Sequence, residues 1–414
     1  MPTVDAQGNQ RFNKEWAYNN YTVGLVALVI QRIAGQPFWE FIRERILAPL
    51  GMHRTAVTRA EISSDENIAP PYLTTTTGEF RRVSDSFWPC ASHAPLLGAT
   101  GMRSTLNDML TFSIAILDAE RAETDPNYTR QVPNNPLRQV TRMRRGYWTR
   151  PADDPDVTKD AAYGMGWFVA QIPGSMISAF SGNGFTREKE HRTHLEYILG
   201  DSENDRSHPI PVIAHTGGMR GALFSVFTFP QTQSAIVTMT NGRDFGDASD
   251  WTAQVLIQAL FDLKPEVDLL PWVKKERGLH EGSYQKYVQG RWEENRRASE
   301  VERERGVYLG EYVGFNGHFS LSIVAAADSD DATGTNLSVV FNNRKESKRR
   351  LTFYKRDVYS THQGDEDAWK ISQLIAKDYK QFLLDFAVDD NGTCTGLRWM
   401  WNKDTEPAWF KKVE

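Results

Sequence analysis

Three short stretches carry residue types that do chemistry. Tyr18-Asn19-Asn20 is polar and leads straight into a long apolar run, so a phenol and two amides stand at the mouth of a helix. Gly98-Ala99-Thr100-Gly101-Met102-Arg103-Ser104-Thr105, with Asp108-Met109, sets hydroxyls and a carboxylate behind a glycine turn. His215-Thr216-Gly217-Gly218 puts an imidazole beside two residues without side chains. Acyl transfer through a serine ester needs a base beside the nucleophile, an oxyanion hole and a group that orients the acyl chain. A tyrosine, at a pKa of ~10, is a poor base at neutral pH unless cations depress it.

The surrounding pattern indicates the elements that hold these groups. Residues 21–34 are apolar nearly all round and read as a buried helix, with Gly35 at its C-terminal cap and Pro37 opening the next helix. That second helix, Pro37 to Ala48, places Phe38, Phe41, Ile42 and Ile46 on one face, and Gly51 closes it. Residues 54–97 are rich in Thr, Ser and Pro and read as a long excursion. The glycine turn at 96–101 then enters a helix with Ser104 or Thr105 as N-cap and Asp108 in its first turn. Residues 120–160, with Pro126, Pro133, Pro136, Pro151 and Pro155, read as loop; 161–172 enters a strand; 181–209 reads as a polar insertion.

The clearest β signal follows. VIAHTGG, ALFSVFTF and SAIVTMTN are β-rich runs in quick succession, broken by Gly217-Gly218 and by Pro230-Gln231. A helix spans about Ser249 to Leu263. Residues 265–305 are charge-dense and read as a helical linker with a solvated face. After Gly306, short strands at regular spacing predict a small antiparallel barrel or sandwich. The expected domains are therefore 1–264, the linker 265–305, and 306–414.

Bulk composition narrows the function classes. With 414 residues, 40% of them hydrophobic and 24% charged, the chain has the length and make-up of a globular protein of two or three domains. A net charge of −5 gives no electrostatic reason to expect nucleic acid or an anionic membrane as partner. Cys90 and Cys394 are the only cysteines, which excludes a disulfide framework and a cysteine-rich zinc site. The opening MPTVDAQGNQRFNKEW lacks the apolar core of a signal peptide, and no run reaches the ~18 apolar residues of a membrane span; the default expectation is cytoplasmic. Sequons at Asn20, Asn127, Asn336 and Asn391 are within chance for this composition.

In this order, the motifs resemble those of the penicillin-recognising serine hydrolases: class C β-lactamases, D-alanyl-D-alanine carboxypeptidases, and related esterases and acyltransferases. Tyr18 and Asn20 fit the family's Tyr-x-Asn motif, with Gly24 and Leu25 in register and no gap to Gly35. His215-Thr216-Gly217 fits its third motif, Lys-Thr-Gly or His-x-Gly. Tyr163-Gly164-Met165-Gly166-Trp167 is similar to its Tyr-Gly-Leu-Gly-Trp, and FPQTQSAIVTMTNG to its penultimate strands. The resemblance covers roughly residues 14–263, while the last hundred residues resemble the lipocalin-like domain that follows the catalytic domain in many esterase and aminopeptidase members.

The resemblance implies an α+β fold, an antiparallel sheet flanked by helices, followed by a C-terminal antiparallel β-barrel. It implies that Tyr18 shuttles a proton with His215 tuning it, that Asn20 hydrogen-bonds the substrate amide, and that the Gly218 N–H is an oxyanion donor on the bare edge of Thr216, Gly217 and Gly218. The implied substrate is an ester or amide of a small molecule or short peptide, with no cofactor or metal.

The family's nucleophile lies in Ser-x-x-Lys, well ahead of the tyrosine, on a segment that also supplies the first strands of the sheet. Here 17 residues precede Tyr18 and none is serine. The one Ser-x-x-Lys, Ser283-Tyr284-Gln285-Lys286, follows the third motif and matches what chance predicts. The resemblance thus implies an N-terminally truncated scaffold, inactive as this chain and exposing apolar surface. The alternatives are a binding or regulatory pseudoenzyme and a half-enzyme completed by a separate N-terminal chain.

Other candidates read as structural. Cys90 is an inert thiol with no base placed for it. His191, His194 and His208 belong to a solvated insertion rather than a metal site. Ser181-Gly182-Asn183 imitates Ser-x-Asn without the long helix after it, and Trp399 and Trp401 are expected to pack the barrel.

Overall fold

The computed structural model describes residues 18–62, 64–83, 97–100, 102–149, 161–179, 181–183, 196–219, 221–243, 246–325, 336–362, 364–372, 378–402 and 405–413. The chain divides into two compact units, residues 1–72 with 82–277, and residues 73–81 with 278–414.

The first unit is built on a six-stranded antiparallel meander of β1 (Trp148–Thr149), β2 (Ala162–Tyr163), β3 (Phe168–Ile172), β4 (Ile210–Met219), β5 (Ala222–Phe229) and β6 (Ser234–Thr240), in that spatial order. Side chains alternate across a strand, so neighbours in sequence enter opposite layers. Val212, Ala214, Phe227, Phe229 and Ile236 join one core with Trp251, Ala253 and Ile257 of α4 (Ala248–Phe261). Ile213, Val226 and Val237 join the other with Ile116, Leu117 and Ala119 of α3 (Leu106–Thr124). The sheet is therefore covered by a helix on each face, the α+β arrangement expected.

The break expected at Pro230-Gln231 is where the chain turns, but the one expected at Gly217-Gly218 falls elsewhere. Gly217 and Gly218 continue β4, paired with Phe224 and Leu223, and the chain reverses instead at Gly221, whose φ of 70° suits a residue without Cβ. The 161–172 strand is a hairpin: β2 and β3 are joined through Gly164–Trp167, with Gly166 at φ 80°.

The apolar run after Tyr18 forms α1 (Asn20–Ala34). Asn19 starts it, its Oδ1 accepting the Thr22 N–H at 3.0 Å, and Gly35 ends it at φ 69°. The expectation that this helix is buried is corrected: only Gly24 and Ala27 are buried, while Leu25 is 60% and Ile33 82% exposed. An all-round apolar helix is ordinarily enclosed, but here contact comes along one stripe. The turn Leu97–Thr100 packs there so closely that a Cβ on Gly98 would fall 2.6 Å from the Ala27 Cβ.

The second helix forms as α2 (Phe38–Ile42) and runs on through a π turn, Arg43–Leu47. Phe38, Ile42 and Ile46 pack around Leu47, Leu50, Met52 and Val57 as expected, but Phe41, also half-buried, lies outside that cluster with the Arg45 guanidinium near its ring.

The second unit is a nearly closed, nine-stranded antiparallel sheet. Its strands are β7 (Gly310–Gly314), β8 (Phe319–Ala325), β9 (Leu337–Phe341), β10 (Arg349–Arg350), β11 (Thr352–Lys355), β12 (Val358–Ser360), β13 (Leu383–Val388), β14 (Cys394–Trp399) and β15 (Ala408–Val413). They lie in the order β10-β9-β8-β7-β15-β14-β13-β12-β11. Tyr308, Tyr312, Tyr359, Phe386, Leu397 and Phe410 fill its core. The charge-dense segment is helical, as α5 (Leu270–Glu281) and α6 (Gly290–Asn295). It is not a solvated face throughout: Tyr284, Val288 and Trp292 are buried against Trp369, Phe382 and Tyr354, because apolar residues recur between the charges.

Candidate active site

Tyr18 stands one residue before the cap of α1, partly exposed, and its ring lies 6.2 Å from the His215 imidazole, centroid to centroid. Tyr163, the last residue of β2, completes a triangle of rings, 6.3 Å from Tyr18 and 6.2 Å from His215. Its hydroxyl sits 3.1 Å from His215 Nε2, and Nδ1 of the same imidazole lies 2.7 Å from the Thr216 carbonyl oxygen. Residues separated by almost two hundred positions thus meet in one cleft, assembled from the mouth of α1, the end of β2 and the middle of β4.

The strand edge beside this cluster is open. β3 pairs with β4 only as far as Ala214, opposite Phe168, whereas β5 follows β4 to Met219. Thr216, Gly217 and Gly218 therefore extend beyond the β3 ladder, and both glycines are exposed. Neither needs to be glycine for packing: a Cβ on Gly217 would come no closer than 3.8 Å to Phe224, and one on Gly218 no closer than 3.4 Å to Leu223. What their bareness changes is the approach of a ligand to the strand's N–H groups. Arg243 brings a cation to the same edge, its Nη1 3.8 Å from where a Gly218 Cβ would be.

The electrostatics differ from those the resemblance implies. Burial pushes the Tyr18 phenol above its ordinary value, and burial, then the neighbouring Tyr18, pushes Tyr163 up as well. Burial lowers His215, against a smaller opposing effect of its bond to Thr216. At neutral pH the cluster holds two protonated phenols and an uncharged imidazole. A protonated Tyr18 phenol has a hydrogen to donate, and its use as a base would need a cation to pull its pKa down.

Asn20 is the first residue of α1, part-buried, and its side chain makes no hydrogen bond among the described residues. Capping is done by Asn19, which leaves the Asn20 amide available. Tyr163 is the member that reasoning from the motifs did not place in the site. The signal was present in Tyr-Gly-Met-Gly-Trp: the glycine turn after the tyrosine ends a strand and reverses the chain beside the histidine strand.

The stretch after Gly98 is structural. Thr105 is the N-cap of α3, and buried Asp108 accepts from the Arg54 N–H at 2.9 Å and the Thr55 hydroxyl at 2.7 Å. Ser181 and Asn183 are buried too, and both donate to Asp250 Oδ2, at 3.1 and 2.8 Å. Ser283–Lys286 belongs to the second unit, where Tyr284 is buried. Trp399 packs on Phe319, Phe341 and Phe410, and Trp401 on Phe315. His208 is exposed; Cys90, His191 and His194 lie outside the described residues. Among the described residues no three His, Cys, Asp or Glu side chains gather as a metal site, and no helix is long and apolar enough to cross a membrane.

The model of one protein family, described as Beta-lactamase, matches residues 5–259. A comparison with curated proteins finds no match. Among solved structures the chain is similar to an octameric penicillin-binding protein homologue from Pyrococcus abyssi, at 15% identity and a TM-score of 0.43, over 96% of this chain and 65% of that one. It is similar to a class C beta-lactamase at 17% identity and a TM-score of 0.39, over 61% of this chain and 58% of that one. It is also similar to a beta-lactamase/D-alanine carboxypeptidase from Pseudomonas syringae at 16% identity and a TM-score of 0.39, over 64% of this chain and 68% of that one. The chain spans 58–68% of the length of these structures.

Proposed function

Since the chain belongs to the beta-lactamase family, we propose that its first unit is a serine-hydrolase or acyltransferase scaffold whose cleft orients an ester or amide of a small molecule or short peptide. The observation that carries this is the convergence of Tyr18, Tyr163 and His215, with ring centroids 6.2–6.3 Å apart, beside the open Gly217-Gly218 edge. In this reading the Gly218 N–H and the protonated Tyr18 hydroxyl are donors to the acyl oxygen, Asn20 holds the amide, and Thr216 lines the edge.

The same reading places the nucleophile outside these 414 residues. No serine precedes Tyr18. Three structural observations support a supplied segment. The β6 edge pairs with β5 alone among the described residues, and its run SAIVTMT carries neither charge nor proline to protect it. The apolar side chains of α1 lie open. The Tyr18 phenol is shifted away from use as a base. That last observation also favours a second reading, a pseudoenzyme that binds the acyl group without reacting. The nine-stranded unit is, in either reading, a lipocalin-like accessory domain, and its side-chain-filled core supports an accessory rather than a carrier role.

A fluorescent penicillin or fluorophosphonate probe tests the proposal. The purified chain is expected to stay unlabelled, and to become labelled when a Ser-x-x-Lys-bearing N-terminal chain is supplied. Covalent labelling of the chain alone would overturn the assignment of the nucleophile to another segment. Saturable binding of the probe without labelling under either condition would favour the pseudoenzyme.

A further inference from the structure

We propose that Tyr163 is a positioning residue for His215, donating its hydroxyl to Nε2 while the Thr216 carbonyl accepts from Nδ1–H, so that the imidazole is the neutral Nδ1–H tautomer with both ring nitrogens engaged. The inference deepens the acyl-binding reading and rests on it for the purpose of the cleft, but not for the tautomer.

The argument is one of donors and acceptors. The Thr216 carbonyl oxygen, 2.7 Å from Nδ1, can only accept, so Nδ1 carries the hydrogen. The second nitrogen, Nε2, then either accepts from the Tyr163 hydroxyl at 3.1 Å or, in a cation, donates to it. The groups facing the ring decide between these. Tyr18 faces it from the mouth of α1 and Tyr163 from β2, and its partner across the sheet on β5 is Val226. None is anionic, and a charged group on this edge, Arg243, is itself a cation. A partly buried imidazolium with phenols on one side and a guanidinium along the strand faces no anion among the described residues to offset its burial. Tyr163 therefore donates, and His215 presents neither a positive charge nor a vacant base to the acyl group. The proton-accepting function has to arrive with the nucleophile.

The test is long-range 1H–15N correlation spectroscopy of the full chain labelled with 15N-histidine, at pH 7 and below. The His215 signals are identified by their loss in His215→Gln. The expected result is a single-tautomer pattern at neutral pH, Nδ1 protonated and Nε2 not. Tyr163→Phe is expected to keep the Nδ1–H tautomer that Thr216 holds but to lose the hydrogen bond at Nε2, moving the Nε2 resonance downfield, while Tyr147→Phe, whose hydroxyl donates to the Arg142 carbonyl, leaves it unchanged. A cationic His215 at pH 7, an Nε2–H tautomer, or a folded Tyr163→Phe chain with the wild-type Nε2 resonance would each overturn the proposal. Should Tyr163→Phe fail to fold, the wild-type spectrum alone still decides between tautomers. Covalent labelling of the chain by an acyl probe would sink the reading of the cleft and leave this result standing, so the two failures are distinguishable.

Discussion

At the scale of single residues, the first unit contains a carboxyl whose setting opposes its charge. Asp250 is fully buried; Ser181, Asn183 and Gln254 all donate to its Oδ2, and Oδ1 has no hydrogen-bond partner among the described residues. Burial, and then the nearby Asp247 carboxylate, push its pKa up from the ordinary carboxylate range. The folded protein thus holds this proton more tightly than the unfolded chain does. The stabilisation is complete below the unfolded value of ~3.9 and is lost as pH rises through the folded one. Asp250→Asn keeps an oxygen for the three donors and removes the charge. Denaturant midpoints should show the variant gaining on the wild type as pH rises from 5 to 8; parallel curves would contradict the buried, protonated carboxyl. Gly98 offers a second test. Gly98→Ala puts a methyl 2.6 Å from the Ala27 Cβ and 3.3 Å from the Val23 carbonyl oxygen, so the turn must move off α1. A loss of about 1–3 kcal/mol is expected from overpacking, read as a lowered denaturation midpoint.

At the scale of elements, α1 shows how a motif is delivered. Asn19 caps the helix and fixes where it starts, and this sets Tyr18 just outside the first turn, in reach of β2 and β4. Removing the cap with Asn19→Ala should cost about 1 kcal/mol. It should also loosen the Tyr18 ring, detected as weaker 1H contacts between Tyr18 and Tyr163. An unchanged midpoint and unchanged ring contacts would show that packing, not capping, places the tyrosine. The exposed face of the same helix makes the opposite prediction. Ile33 is 82% exposed, so Ile33→Lys should change stability by no more than about 0.5 kcal/mol. A larger loss would mean that the face is covered in solution.

At the scale of the molecule, each unit has its own core, one split by the six-stranded sheet and one enclosed by the nine-stranded sheet. The first unit also presents apolar side chains on two helices, α1 with Leu25, Val29 and Ile33, and α4 with Val255, Leu256 and Leu260. The β6 edge adds backbone groups that pair with nothing among the described residues on that side. A net charge of −5 opposes association only weakly. Sedimentation velocity on the purified chain should therefore show concentration-dependent association, reduced by charging β6 at its exposed Met239 with Met239→Lys. A monodisperse monomer across a wide concentration range, with no binding of a hydrophobic dye, would contradict this account of the surface.

Many of the elements around the candidate site were legible before any coordinates. An apolar run closed by Gly35 placed α1, a glycine turn with an N-cap placed α3, and β-rich runs broken by turn residues placed the three long strands, because caps, turns and β-branched runs are local signals. Tyr18, Asn20 and His215 were singled out by the resemblance of the motif order to a known family. Four matters were decided only by tertiary structure. Tyr163 enters the site through a hairpin turn whose partner strand lies about fifty positions away, and local pattern carries no such distance. The protonation of Tyr18, Tyr163 and His215 follows from burial and neighbours, which no single stretch contains. Ser181 and Asn183 turned out to serve Asp250. The helix α1 is apolar all round, yet open, since a sequence records which surface is fit to be covered, while only the packed chain shows what covers it.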